Sequence, residues 1–385
     1  MHKLKPALRT EELLLLDLCR ISLKDEQKVR IGELLTKAGD WDYLLNLANE
    51  HGIVSLVYYN LEQAGLLSRV PENAGKTLQS SNLKSLARNT FLIEKYIELE
   101  NVLSATGIKP IVLKGMALEP SVYGNKGLRQ MTDIDLYIHG KDQCLKAWKH
   151  LVNSGYESKP LKSPLYKKIL TDFGKHMPDL YKDGISIDLH HGLFNNNIHI
   201  ETTKVSTAKL DLAIPENDIH FLFLVKHLAD HETKGESQLR LYLDLAQLML
   251  MPGKKMRAKH LVALAKELDM EDILTEKLFL LNLFWEVPVE EEILGKISPD
   301  RKTKVTGAFI EFLRNPKGNT GRNRGEGYRK TLRNIPTMRK KLIFILGDLF
   351  PSISFMQNRY KTRTRAGACF YYPLRFGKLL LLIKR

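Results

Sequence analysis

The sequence predicts an α/β (α+β) chain in which a small sheet-bearing core is flanked in sequence by helical regions. Three observations carry that prediction. Apolar residues recur at helical spacing through the first hundred residues and again from Asn217 to about Leu313. Two short runs, Ile108 to Leu113 (IKPIVL) and Asp133 to His139 (DIDLYIH), are β-branched or alternate with period two. Asp183-Gly184 lies between alternating runs in YKDGISIDLHH, a hairpin signal because both turn positions need positive φ.

Taken in order, MHKLKPALRTEELLLLDLC reads as an amphipathic helix, since Glu11, Glu12 and Asp17 interrupt its apolar stretch as no signal peptide would. Trp41 to Leu66 is helical with a break near His51-Gly52, and Asn82 to Gly107 is a long helix capped by Gly107. The first strand, Ile108 to Leu113, is followed by a short helix over Met116 to Tyr123 and a Gly/Asn-rich loop. After the Asp133 strand a helix over Gln143 to Asn153 is expected, then the hairpin. Residues 315–336 are basic and rich in Gly and Asn, which predicts a mobile loop. The expected divisions are a helical region over 1–100, a catalytic core over 101–215, a helical domain over 216–314 and a basic segment over 315–385.

Composition narrows the function classes. The 43% hydrophobic content of 385 residues can bury an ordinary core. Cys19, Cys144 and Cys369 match no zinc or redox spacing and are expected to be reduced thiols of a cytoplasmic protein. The longest apolar runs, such as Leu379 to Ile383, fall short of the roughly 20 residues a membrane-spanning helix needs. The net charge of +15 is concentrated: residues 301–385 hold 21 Lys and Arg against Glu311, Glu326 and Asp348. Such a field attracts polyanions, either nucleic acid or an anionic membrane surface, the latter implying a peripheral location at the inner membrane face.

Chemistry enters with the carboxylates. Asp133 and Asp135 are two apart on a strand, so both leave one face of the sheet. Asp188 lies between Ile187 and Leu189 on the far arm of the hairpin, and pairing of that arm beside the Asp133 strand would bring in a third acid. Acids alternating with strongly apolar residues must face something that compensates their charge. Hard oxygen ligands of this kind select Mg²⁺ or Mn²⁺. Upstream, Leu113-Lys114-Gly115 ends a strand and opens a helix whose free N–H groups suit a phosphate, with Lys114 adding a point charge.

The order strand–Gly–helix, then Asp-x-Asp, then a lone strand Asp resembles the polymerase-beta-like nucleotidyltransferase superfamily. More narrowly, VLKGMALEPSVYGNKGLRQMTDIDLYI is similar to a family of uncharacterised bacterial nucleotidyltransferases found beside exopolysaccharide and lasso-peptide genes. It is distantly similar to the abortive-infection type II toxin nucleotidyltransferases. WDYLLNLANEHGIVSLVYYNL, ISIDLHHGLF, RLYLDLAQLM and LFPSISFMQNRY share the look of the narrower family. The resemblance implies a mixed sheet and transfer of an NMP group from an NTP to a hydroxyl or phosphate of a glycan, peptide or RNA acceptor. It assigns Asp133, Asp135 and Asp188 to Mg²⁺ or Mn²⁺ and catalysis, Lys114 and Gly115 to the nucleotide-phosphate loop, and Arg129 to the triphosphate. The toxin resemblance adds Lys226 and Asp244, with Arg240 between them. One departure is Met116, where the wider superfamily has serine. A catalytically inactive, NTP-binding scaffold is the reading from another class.

Weaker candidates remain open. His227 and His231 have a helical zinc spacing but lack an evident third ligand. Arg240 and Asp244 also suit an ordinary i,i+4 pair. Of His190 and His191, the second is expected on the Asp188 face; Lys175 and His176 precede the hairpin. Arg322, Arg324, Arg329, Lys330 and Arg333 can track RNA, with Tyr328 stacking. Alternatively Tyr371, Tyr372, Phe376 and Leu379 to Ile383, interleaved with Arg375, Lys378, Lys384 and Arg385, can lie on an anionic membrane, or the whole segment is a solvated basic face.

Overall fold

The computed structural model describes residues 8–384 except 125–126, 159–161, 164, 166–173, 196–197, 208–210, 252–255, 317–327, 330–331, 334 and 336, with side chains through 377. The N-terminal helices are α1 (Thr10–Leu18), α2 (Asp25–Leu35), α3 (Trp41–Glu50), α4 (Val54–Gln63) and α5 (Glu72–Ser104). Strand β1 (Ile111–Val112) leads into α6 (Lys114–Leu118), a π-helical turn at Glu119–Tyr123, β2 (Asp133–Tyr137) and α7 (Lys141–Asn153). Strands β3 (Glu157–Ser158), β4 (Leu180–Lys182), β5 (Ile185–His190), β6 (Thr202–Ser206) and β7 (Asp211–Pro215) come next. Helices α8 (Asn217–Lys234), α9 (Leu239–Leu250), α10 (Ala258–Glu267), α11 (Glu271–Trp285), α12 (Glu291–Leu294) and α13 (Pro299–Arg314) follow. The C-terminal segment carries α14 (Met338–Leu349), α15 (Ile353–Tyr360), α16 (Arg365–Cys369) and α17 (Tyr371–Lys384).

These elements form two compact units. One gathers residues 1–97, 112–132 and 198–318; the other gathers 98–111, 133–197 and 319–385. The first unit is built on helix packing. Tyr242 stacks on Trp285 with ring centres 5.9 Å apart, and Phe284 lies 4.3 Å from Phe309. Trp285 donates its indole N–H to the Cys19 carbonyl, while Arg20 donates to the carbonyls of Phe284 and Trp285. A polar side chain that closes off backbone carbonyls in this way lets a chain end be buried without orphaned acceptors.

Helix α1 departs from the amphipathic expectation. Leu14, Leu15, Leu16 and Leu18 are all buried, and so are Glu11, Glu12 and Asp17. Each acid is compensated. Glu12 accepts from Arg314 at 2.8 Å and from the Tyr43 hydroxyl at 2.9 Å, Asp17 pairs with Arg30, and Glu11 accepts the backbone N–H groups of Gly39 and Asp40. Sequence periodicity reads those acids as a wet face because partners as distant as Arg314 are invisible to it.

The break near His51 is present, with Gly52 at φ +68° between α3 and α4. His51 ties three helices together: its Nδ1 accepts the Leu239 N–H at 3.2 Å and its Nε2 donates to the Leu313 carbonyl at 2.9 Å. That arrangement needs the neutral ring, and burial lowers the His51 pKa to about 4.

The second unit holds a mixed sheet of five strands in the order β1-β2-β5-β4-β3. Strand β2 runs parallel to β5, whereas β5 with β4 and β4 with β3 are antiparallel. Asp183 at φ +51° and Gly184 at φ +75° make the β4–β5 turn, as the Asp-Gly dipeptide predicts. Ile185, Ile187 and Leu189 of β5 are buried while Ser186, Asp188 and His190 are half-buried, the alternation of a strand with one occupied face. Strand β1 is shorter than the IKPIVL run because Pro110 supplies no N–H to a ladder. In the first unit the antiparallel pair β6 and β7 was not anticipated; TTKVS carries no apolar alternation to announce it. The basic loop predicted at 315–336 lies largely outside the described residues.

Candidate active site

The parallel pairing of β2 and β5 sets the register Asp133↔Ser186, Asp135↔Asp188 and Tyr137↔His190. Because both strands alternate with period two, these six residues share one face of the sheet. Asp135 and Asp188 therefore stand directly opposite each other on neighbouring strands, as the hairpin argument required. Asp135 is 2% exposed, so its carboxylate is withdrawn from bulk water.

The third member of the cluster differs from the sequence expectation. Ligand atoms of Asp135, Asp188 and His190 all lie within 4.8 Å of one another. His190 Nε2 is 3.2 Å from Asp135 Oδ1. Asp133 is on the same face but stands one pair further along, opposite Ser186 and outside that cluster. His190, not His191, accompanies Asp188. Residues two apart on a strand share a face and adjacent ones do not, so the placement of His191 on the Asp188 face is corrected by the geometry. His191 follows the last residue of β5, and burial first, then Lys141 and His176, lower its pKa. His176 lies beside the cluster, its ring centre 5.8 Å from that of His190, and Lys175 donates to Asn195.

Two carboxylates and an imidazole converging on one point fit a divalent cation. Neighbouring buried acids are stable together when a positive charge lies between them. The imidazole makes the donor set softer than three carboxylates would be, which moves it from Mg²⁺ toward first-row transition ions. Among the described residues this is the one group with metal-ligating geometry, which leaves His227 and His231 as an edge-to-face ring pair, centres 4.3 Å apart.

The candidate phosphate loop belongs to the first unit. Lys114 takes φ +49°, a left-handed conformation unusual for a residue with a side chain, at the turn from β1 into α6. A Cβ on Gly115 would lie 3.0 Å from Met131 Cγ and closer still to Arg129 Nη1. Gly115 is thus required by the guanidinium packed against it. Met116 is 3% exposed, so the position where the wider superfamily carries serine is here part of the apolar core.

Arg129 is itself immobilised. Its Nε and Nη2 donate to the two carboxylate oxygens of Asp244 at 2.8 and 2.7 Å, with the Arg129 and Asp244 side chains 6% and 1% exposed. Tyr123 donates its hydroxyl to Asp244 at 2.7 Å, and Asn89 donates to the Arg129 carbonyl at 2.9 Å. Asp244 therefore pairs with Arg129, 115 positions away in sequence, instead of serving as an i,i+4 partner of Arg240. Arg240 turns to Gln238 and to the Gln130 carbonyl. Lys226 donates to Asp230 on its own helix at 2.8 Å, and so is engaged four residues on in α8. The side chains of Lys226 and Asp244 are drawn to different partners, the first by helix spacing and the second by burial beside Arg129.

Glu119, Asn89, Tyr123 and His220 complete this buried network and were not singled out from the sequence. Glu119 Oε1 accepts the Gly127 N–H at 2.9 Å, while Glu119 Oε2, Asn89 Oδ1 and His220 Nε2 find no hydrogen-bond partner among the described residues. Burial pushes the Glu119 carboxyl up to about 7, and burial with nearby Arg129 pushes His220 down to about 3. A proton on Glu119 Oε2 turns an orphaned acceptor into a donor. The sign of the pH effect follows. Below the ordinary carboxyl pKa near 4.5, Glu119 is protonated whether folded or unfolded. From there to about 7 the unfolded chain releases its proton while the folded one keeps it, so stability falls with rising pH. Glu119→Gln keeps the acceptor for Gly127 and cannot ionise. Relative to wild type, it is expected to gain on the order of 2 kcal/mol between pH 5 and pH 8, read from urea melts. An equal difference at both pH values would refute the assignment.

In the C-terminal segment, Arg322, Arg324 and Lys330 and the side chains of Lys378, Leu379 to Ile383, Lys384 and Arg385 lie outside the described residues. Arg375 is buried, donating to the side chain and carbonyl of Asp348. Tyr328 packs against Phe344, ring centres 5.5 Å apart. Cys19 and Cys144 are buried free thiols and Cys369 is an exposed one. No described helix is long and apolar enough to cross a membrane.

No curated protein and no solved structure matches the chain. Residues 37–286 match the family model described as "Uncharacterised nucleotidyltransferase", a span that contains β2, β5, the Lys114–Gly115 turn and the Arg129–Asp244 pair, and the chain belongs to that family.

Proposed function

We propose that the protein transfers an NMP group from an NTP to a hydroxyl or phosphate of an acceptor, with release of pyrophosphate, using the β2–β5 face as its divalent-cation site. Membership of a nucleotidyltransferase family supplies the reaction class and the NTP. The observation that carries the rest is the cross-strand pair Asp135–Asp188 with His190 Nε2 at the same point.

In this reading Asp135, Asp188 and His190 hold one Mg²⁺ or Mn²⁺, and Asp133 serves a second on the same sheet face. The ions would neutralise triphosphate charge and favour the ionised form of the attacking hydroxyl. Asp188 accepts the proton of that hydroxyl. Lys114 and Gly115 remain the nucleotide-phosphate residues that the sequence resemblance proposes. Arg129, held by Asp244, keeps Gly115 and the turn in place; this positioning role replaces direct contact with the triphosphate. The catalytic core is proposed over 101–215, followed in sequence by a helical domain over 216–314 and a basic segment over 315–385. The acceptor class we favour is a surface glycan or a peptide undergoing modification, in keeping with the narrower sequence resemblance. The toxin-like RNA reading loses support because Lys226 and Asp244 are engaged elsewhere.

The test is calorimetric titration of each NTP with Mg²⁺ or Mn²⁺, followed by α-labelled NTP incubation with glycan, peptide and tRNA acceptors. Metal-dependent NTP binding with label on one acceptor is expected. Tight binding with no turnover on any acceptor would favour the scaffold reading, and no metal-dependent binding would end the proposal.

A further inference from the structure

Helix α14 has two unlike sides. Phe344, Gly347 and Asp348 face inward, and Phe344 packs with Ile335. Outward, Met338, Leu342 and Leu346 are 78%, 57% and 37% exposed, and Phe350 at the helix end is 63% exposed. Their spacing of four makes a continuous apolar stripe along the helix. A second run lies around the start of α17, which packs against α14. There Phe370, Leu374 and Phe376 are 79%, 60% and 49% exposed. Single exposed apolar residues are ordinary, but the four-residue stripe along α14 marks a surface that is covered in use.

The charges around these runs say what covers it. Between Met338 and Phe376 the chain has eight basic residues, Arg339, Lys340, Lys341, Arg359, Lys361, Arg363, Arg365 and Arg375, and a single acid, Asp348. Asp348 is 2% exposed and paired with Lys162 and Arg375, so no carboxylate of this stretch reaches the surface. Arg339, Arg359, Lys361, Arg363 and Arg365 are exposed. This stretch therefore exposes aliphatic and aromatic groups and cations, and no carboxylate of its own.

We propose that α14 to α17 form a docking surface for an anionic lipid bilayer, the apolar runs entering the acyl boundary and the arginines and lysines meeting headgroup phosphates. The alternatives fit less well. RNA would engage the cations and could stack on Phe350 or Phe370, but it would leave the aliphatic stripe of Met338, Leu342 and Leu346 with nothing apolar to bury against. A second copy of this chain would set like charges against each other across the contact. The proposal uses none of the residues that the nucleotidyl-transfer reading places at the metal or the nucleotide, so the two can fail separately. It also lies beyond the span that matches the family.

The experiment is flotation of the 385-residue chain with vesicles of phosphatidylglycerol and phosphatidylethanolamine, against vesicles of phosphatidylcholine alone. Binding to the anionic vesicles only is expected. Leu342→Asn with Leu346→Asn, both on the outer side where folding is not at stake, should reduce partition about tenfold or more by removing two side chains from the acyl boundary. Arg363→Ser with Arg365→Ser should weaken binding and flatten its salt dependence. NTP binding with Mg²⁺, measured in parallel, should be unchanged in both variants. Three results would overturn the proposal. The first is no flotation at low salt. The second is vesicle binding that ignores the leucine changes and is matched by a mixed-sequence RNA. The third is a dimer in lipid-free solution that the leucine changes dissolve.

Discussion

Asp135→Asn is expected to lower the rate of metal-dependent nucleotidyl transfer by roughly a thousandfold, about 4 kcal/mol of lost transition-state stabilisation. Asp135 sits opposite Asp188 in the parallel register and within reach of His190 Nε2. Removing its charge leaves the cluster with one carboxylate, too little to bind a divalent ion against water. In the metal-free protein the change relieves the repulsion between two facing carboxylates but also removes the charged acceptor of His190 Nε2, so a stability change of less than about 1 kcal/mol is expected. Asp188→Asn should behave alike. Asp133→Asn should weaken Mn²⁺ binding less, since Asp133 stands outside the cluster of ligand atoms. Single-turnover transfer of labelled NMP, Mn²⁺ binding by electron paramagnetic resonance and thermal melts without metal together decide the matter. Activity of Asp135→Asn within tenfold of wild type would sink the site.

The second large effect is structural. Asp244→Asn leaves the Arg129 guanidinium buried with its counter-charge gone, and a loss of about 3–5 kcal/mol is expected. Tyr123 also loses a charged acceptor, and Gly115 loses the fixed group that packs on it. Arg129→Met combined with Asp244→Leu removes both charges and should recover most of that stability, yet NTP affinity should remain impaired because the Lys114 turn is no longer held. Urea melts and calorimetric NTP titration of the two variants separate stability from binding. If Asp244→Asn cost less than about 1 kcal/mol, the pair would be no more than a surface-like contact.

Several features of this site are legible along the chain. Asp135 and Asp188 alternate with Ile134, Leu136, Ile187 and Leu189, and alternation alone places each acid on the face opposite its apolar neighbours. The Asp183-Gly184 turn fixes the β4–β5 register because few other dipeptides accept two positive φ values in succession. His190 was equally legible, since it is two residues beyond Asp188; the parity was simply misassigned. Nothing local announces Glu119, Tyr123 or His220, whose neighbours LEPSVY and NDIHF read as ordinary helix.

What the sequence determined by itself was a set of local periodicities: strands that put acids on one face, a glycine after a strand, a turn, a helix break at Gly52 and a segment rich in cations. These depend on backbone geometry and side-chain size, which act over a few residues. The tertiary structure decided which distant groups would share a low-dielectric space. Asp244 pairs with Arg129, Glu12 with Arg314 and Asp348 with Lys162, and burial makes each such partner obligatory. Gly115 shows the difference most directly. A sequence reading takes it as room for a phosphate, while the fold fills the space beside it with the guanidinium of Arg129, because that side chain is held by an acid 115 positions away.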